Sequence, residues 1–119
     1  MAARFRLSRL AQADLRRILA ASETRWGIEG RRRYAAILAA AMRKVAADPE
    51  GPVTRERAEL SPHVRSMHLR YSRGLEPAAT VKAPVHILYY RAVRPDVIEI
   101  VRILHERMEP GRYIGGNRV

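Results

Sequence analysis

The stretch VHILYYRAVRPDVIEIVRILHERMEP, residues 85–110, decides the fold. Two runs rich in β-branched and aromatic residues, Val85–Val93 and Val97–Leu104, flank Arg94–Pro95–Asp96. Such residues fit a pleated, half-buried surface, and Pro and Asp suit a tight turn, so the stretch predicts an antiparallel hairpin. Alternation puts Ile87, Tyr89 and Arg91 on one face of the first strand and His86, Leu88 and Tyr90 on the other. In the second strand Val97, Glu99, Val101 and Ile103 oppose Ile98, Ile100, Arg102 and Leu104. Both faces are partly apolar, as expected if helices cover one and a tail or partner covers the other.

Working outward, Phe5–Leu7 predicts a short strand and Ser8 an N-cap, whose hydroxyl accepts a free amide of the first helical turn. Leu10, Leu15, Ile18, Leu19 and Trp26 recur at helical spacing, with Asp14 and Ser22 as polar breaks at the edge of the stripe. A first helix from Arg9 to about Trp26 then stops at Gly27. A second, from about Ile28 to Ala47, carries Tyr34, Ile37, Leu38, Ala41, Met42 and Val45 inward, and Asp48–Pro49 with Gly51–Pro52 ends it. With a few residues between them, the helices predict an antiparallel hairpin with Trp26 as its core anchor.

The polar connector 51–62 reads as a loop with one helical turn around Arg55–Leu60. His63–Tyr71 alternates as a strand, with Arg65, Met67, Leu69 and Tyr71 on the core face. Residues 72–84 read as a long hairpin loop. The tail from Glu106 is partly irregular, with one short turn near Arg112–Ile114. The order β-α-α-β-β-β over a single domain, residues 1–119, is an α+β fold: helices on one side of a small, mainly antiparallel sheet. The N-terminal strand has no hairpin partner and is expected at an edge or beside the last strand.

Composition narrows the function. The 119 residues are 47% apolar and carry a net charge of +11, with 21 arginines and two lysines against 12 acidic residues. Such a surface attracts polyanions or an acidic partner. The absence of cysteine excludes disulfides, thiolate metal sites and cysteine nucleophiles, and points to the cytoplasm. No signal peptide or 18-residue apolar run is present, so no membrane span is expected. His63 and His68 are spaced for neither a helical nor a same-face strand metal pair, and there is no HExxH or glycine-rich phosphate loop, so neither metal nor cofactor is expected.

His105 draws attention, with Arg102 and Arg107 beside it and Tyr113 a few residues on. Attack of a ribose 2′-hydroxyl on phosphate needs a base, an acid and cations for the phosphate oxygens, which this set contains. Alternatively His105 bonds backbone at a strand end and packs on the tail. Arg65 and Arg91 extend a positive surface over the sheet. Arg31–Arg32–Arg33 opens the second helix, unfavourably against its dipole, which suits docking of acidic residues.

Taken in order, FRLSRLAQADL (5–15), ETRWG (23–27), RYAAIL (33–38), ADPEGP (47–52), VRSMHLRYS (64–72), VHILYYR (85–91) and IEIVRILHERMEPGRYI (98–114) resemble the RelE/ParE superfamily of bacterial type II toxins. Trp26–Gly27, Arg65–Ser66 and the ILHERMEP ending look most like the ParE branch. The resemblance implies a toxin that inhibits DNA gyrase by binding, with no catalytic residues. Its contacts to target or antitoxin are expected among Arg31, Arg32, Arg65, Arg91, Arg102, His105 and Arg107, and its structural residues are Trp26, Gly27, Tyr34 and Leu38. The RelE-like alternative is a ribosome-dependent messenger-RNA endoribonuclease using His105, Arg102, Arg65 and Tyr113. Both branches imply a cognate acidic, ParD-like antitoxin that wraps the toxin in a hetero-oligomer and folds as it binds. The helical hairpin and the open sheet edge are its expected docking surfaces.

Overall fold

The computed structural model describes residues 4–75 and 81–115. In chain order the elements are β1 (Arg4–Leu7), α1 (Arg9–Ala47), β2 (Arg55–Glu56), β3 (Arg65–His68), a 3-10 turn (Leu69–Ser72), β4 (His86–Arg94), β5 (Val97–His105) and a second 3-10 turn (Pro110–Arg112). The strands form one sheet in the order β1-β5-β4-β3-β2. β1 lies at an edge, parallel to β5, and every other pairing is antiparallel.

The two expected helices meet at the expected stop, Gly27, with no loop between them. α1 is 39 residues long and leaves helical geometry at Gly27, which sits at φ 77° and ψ −174°. A straight helix of that length would span about 58 Å, whereas the molecule's longest dimension is 39 Å, so α1 bends at this glycine. Gly27 takes the left-handed φ without a Cβ penalty, and helical geometry resumes at Ile28, leaving no loop. Residues from both arms enter one core. Ala11 from the first arm and Tyr34, Ile37, Leu38, Ala41 and Val45 from the second pack against Met67, Leu88, Tyr90, Ile98, Ile100 and Ile103.

Ser8 caps α1 as its position suggests. Its Oγ accepts the Ala11 amide at 3.0 Å and donates to the Val101 carbonyl at 2.9 Å, while its amide donates to the Ile100 carbonyl at 3.0 Å. The last contacts have a topological cause. β1 pairs with β5 only from Val97 to Ile100, and beyond that point the start of α1 takes over the edge of β5. Asp14 completes the replacement by accepting the Ile103 amide at 3.0 Å.

The hairpin closes through Pro95–Asp96, with Arg94 opposite Val97. Its register slips between Tyr89 and Tyr90, which pair with Arg102 and Ile100 and leave Val101 without an opposite residue. This bulge corrects the simple alternation: Ile103 joins Ile98 and Ile100 in the helix-side core, while Leu104 packs on the other face with Val64, Tyr89 and Ile114. The tail thus covers the second sheet face.

Three further expectations are corrected. Arg55–Glu56 forms a strand paired with Ser66 and Arg65 rather than a helical turn. The strand expected over His63–Tyr71 stops at His68, whose Nδ1 accepts the Arg70 amide at 3.0 Å and turns the chain into the 3-10 segment. Tyr71 is therefore exposed instead of facing the core. Of the loop 72–84, residues 76–80 lie outside the described residues.

Candidate functional site

A groove of about 1030 Å³ opens between the two arms of α1 and the paired ends of β4 and β5. Ile18, Ala21, Val81, Val85 and Ile103 give it apolar walls, and Arg17, Arg25, Arg33 and Lys82 also line it. The register of the hairpin sets two histidines at one end, because His86 lies opposite His105. Their rings meet edge-on with centroids 5.5 Å apart, and Tyr34 meets His86 in the same way at 5.5 Å.

Hydrogen bonding ties this array together. The Val85 amide donates to Tyr34 Oη at 3.1 Å, and Oη lies 2.6 Å from His86 Nδ1, the direction of that bond being set by the imidazole tautomer. Burial foremost, then the nearby His105 and His68, push the His86 pKa down to about 4. His105 Nδ1 accepts the Arg107 amide at 3.0 Å. Alongside, His68 Nε2 contacts Glu106 Oε1 at 2.6 Å, and this contact chiefly holds the Glu106 carboxyl below its usual range.

The residues named for RNA cleavage do not form one site. Arg102 is buried at 9% exposure, with Nε and Nη2 on Asp14 at 2.8 and 2.9 Å and Nη1 on the Tyr113 carbonyl at 3.3 Å. Hydrogen bonding to Asp14 is the main reason its pKa is raised. Arg65 is held by the Pro49 carbonyl at 3.1 Å and Thr54 Oγ1 at 2.9 Å. It pairs with Tyr90, four residues along β4 from the partner of His105, or about 13 Å at the rise of a strand. Tyr113 is exposed, its ring stacked on Arg102. His105 thus stands apart from Arg65, and Arg102 is occupied in holding β5 to α1.

The other candidate contacts spread over the surface. Arg31 and Arg32 pair with Glu23 and Glu29, and Arg91 pairs with Glu99. Arg107 is exposed just after β5. Tyr34 and Leu38 are buried, and Gly27 is the helix break. Trp26 contradicts its role as a core anchor: it is 58% exposed and lines the groove beside the break at Gly27. Among the described residues no cluster of histidines and carboxylates suits a metal ion, and no helix is long and apolar enough to cross a membrane.

Sequence reasoning passed over Asp14 and His86. Asp14 joins α1 to β5 yet looks like a mere interruption of an apolar stripe. His86 was available by reflecting the sequence about Pro95–Asp96, which sets it against His105.

Comparison with known proteins follows from this geometry. The family described as "ParE toxin of type II toxin-antitoxin system, parDE" matches residues 5–110. Toxin ParE1 of Mycobacterium tuberculosis is 31% identical over 114 residues, covering 96% of this chain and 100% of the relative. Toxin ParE1 of Caulobacter vibrioides is 32% identical over 112 residues, covering 93% and 97%. A solved structure described as "Chromosomal ParDE TA system from P. aeruginosa" shares the fold at a TM-score of 0.58 and 20% identity, over 87% of this chain and 96% of that one. The chain belongs to the ParE toxins of type II toxin–antitoxin systems.

Proposed function

We propose that this toxin arrests growth in the cytoplasm by binding DNA gyrase, without a reaction of its own. The observation that carries the reading is the dispersal of the ribonuclease set. Arg102 is sequestered by Asp14, and Arg65 lies about 13 Å along the ladder from His105. Phosphoryl transfer needs cations and acid–base groups converging on one phosphate, which dispersed residues do not supply. We assign the groove to the cognate antitoxin. Its apolar walls and its Arg17, Arg25, Arg33 and Lys82 match an amphipathic segment with an acidic face. A supercoiling assay with purified gyrase tests the target: inhibition at stoichiometric toxin is expected, and full supercoiling at large excess refutes it.

One feature favours the second reading, ribosome-dependent cleavage of messenger RNA. Tyr34, a neutral His86 and His105 form an acid–base array in an open groove. Cleavage of messenger RNA in a translating extract, abolished by His105→Ala, would establish it; intact message at high toxin concentration removes it.

A further inference from the structure

The break at Gly27 places two large apolar side chains in solvent, Trp26 at 58% and Ile28 at 51% exposure. Single exposed apolar residues need no explanation, but these flank one glycine at the bend of the long helix. A Cβ at residue 30 would fall 2.3 Å from the Trp26 Cβ, so only glycine fits the close approach at the break. The Arg25 guanidinium lies 5.0 Å from the ring centroid. A tryptophan presents a large contact area on only two rotatable side-chain bonds and so loses little entropy on binding, the property of an interface anchor.

Charge selects the partner. Between residues 23 and 33 stand four arginines and two glutamates. Arg31 and Arg32 pair with the glutamates, which leaves as surplus cations Arg25, over the indole, and Arg33, which lines the same groove. An aliphatic neighbour to the tryptophan suits a protein pocket; a nucleic-acid platform would present further rings for stacking. Arg25, Trp26 and Arg33 also line the groove, whereas Ile28, Arg31 and Arg32 do not.

We propose that this tip, Trp26 with Ile28 inside an arginine collar, is where the toxin meets its target, on an acidic protein surface with an apolar pocket for the indole. Trp26 belongs to both tip and groove, so an antitoxin in the groove covers it and excludes the target. The site rests on the gyrase reading above. It is tested by measuring inhibition of reconstituted gyrase by wild type, Trp26→Ala, Trp26→Phe and Ile28→Asp. Circular dichroism confirms folding, and binding to the antitoxin copurified from its operon serves as the parallel readout. Trp26→Ala is expected to need about thirty-fold more toxin for half inhibition, as for a loss of about 2 kcal/mol, and Trp26→Phe to recover most of it. Ile28→Asp, outside the groove, is expected to lose at least tenfold in inhibition while antitoxin affinity changes less than twofold. Inhibition by Trp26→Ala and Ile28→Asp within threefold of wild type overturns the tip and leaves the gyrase reading standing. No inhibition by wild type refutes that reading, and this site with it. Antitoxin added to a toxin–gyrase complex should release gyrase; a stable ternary complex overturns the shared surface, and binding of gyrase-free DNA by wild type that Ile28→Asp loses overturns the choice of a protein partner.

Discussion

Replacing Asp14 by alanine tests how the groove is held together. Asp14 is 2% exposed and accepts from Arg102 Nε at 2.8 Å, Arg102 Nη2 at 2.9 Å, the Ile103 amide at 3.0 Å and Arg17 Nη2 at 2.6 Å. Arg17 is largely exposed, so its share is at most about 0.5 kcal/mol. The remainder is a buried pair whose rupture leaves a guanidinium without its counter-charge, typically about 3–5 kcal/mol, together with an orphaned strand amide. A loss of about 4 kcal/mol is expected, against a total of roughly 5–15 kcal/mol for a domain. With an unfolding entropy near 0.25 kcal/mol/K for a chain of this size, Tm falls by about 15 °C. Urea denaturation followed by circular dichroism at pH 7 measures it. Arg17→Ala should lose less than about 1 kcal/mol, and the double variant Asp14→Ala/Arg102→Ala should be about 2 kcal/mol less damaged than the two single losses predict. An Asp14→Ala loss no greater than that of Arg17→Ala refutes the reasoning.

Tyr34→Phe removes the acceptor of the Val85 amide and the hydrogen-bond partner of His86 Nδ1, so about 1–2 kcal/mol should be lost in the same assay. His86 has its folded pKa lowered from 6.5 to about 4, so the unfolded chain takes up the proton first as pH falls. Its contribution is whole above pH 6.5 and fades between 6.5 and 4, by at most about 3 kcal/mol. Urea midpoints at pH 7.5 and 4.5 should show His86→Phe less acid-sensitive than wild type by that amount. Gly115 has φ 74°, and a Cβ there would meet the Leu60 carbonyl oxygen at 1.7 Å. Gly115→Ala should cost at least about 2 kcal/mol, whereas Gly111→Ala, with nothing closer than 3.5 Å, should shift the urea midpoint little.

The hairpin was legible because alternation and the Pro95–Asp96 turn point the same way. The bulge at Val101 was not, since residues 97–104 are largely apolar on both faces and the two charges, Glu99 and Arg102, fit an unbroken alternation equally well. Gly27 announced a stop, but a glycine stop looks the same whether a loop or another helical turn follows. Size and spacing of Trp26 favour burial, whereas it stands exposed beside the break at Gly27, which helical spacing does not anticipate. His105 stood out by its neighbours. Asp14 and Arg102 did not stand out as a pair, because 88 residues separate them and local patterns carry no trace of a partner so distant.

The parallel pairing of β1 with β5 joins Arg4–Leu7 to Val97–Ile100. On the ribosome, at about 5–20 residues per second, the first strand waits roughly 5–20 s for its partner to be made. The sheet edge, the Ser8 stitch and the Asp14–Arg102 lock all depend on that late arrival. Translation that aborts before residue 97 therefore yields fragments that lack the partner of β1 and the His105 side of the groove. Completion of synthesis is itself a checkpoint on a toxin.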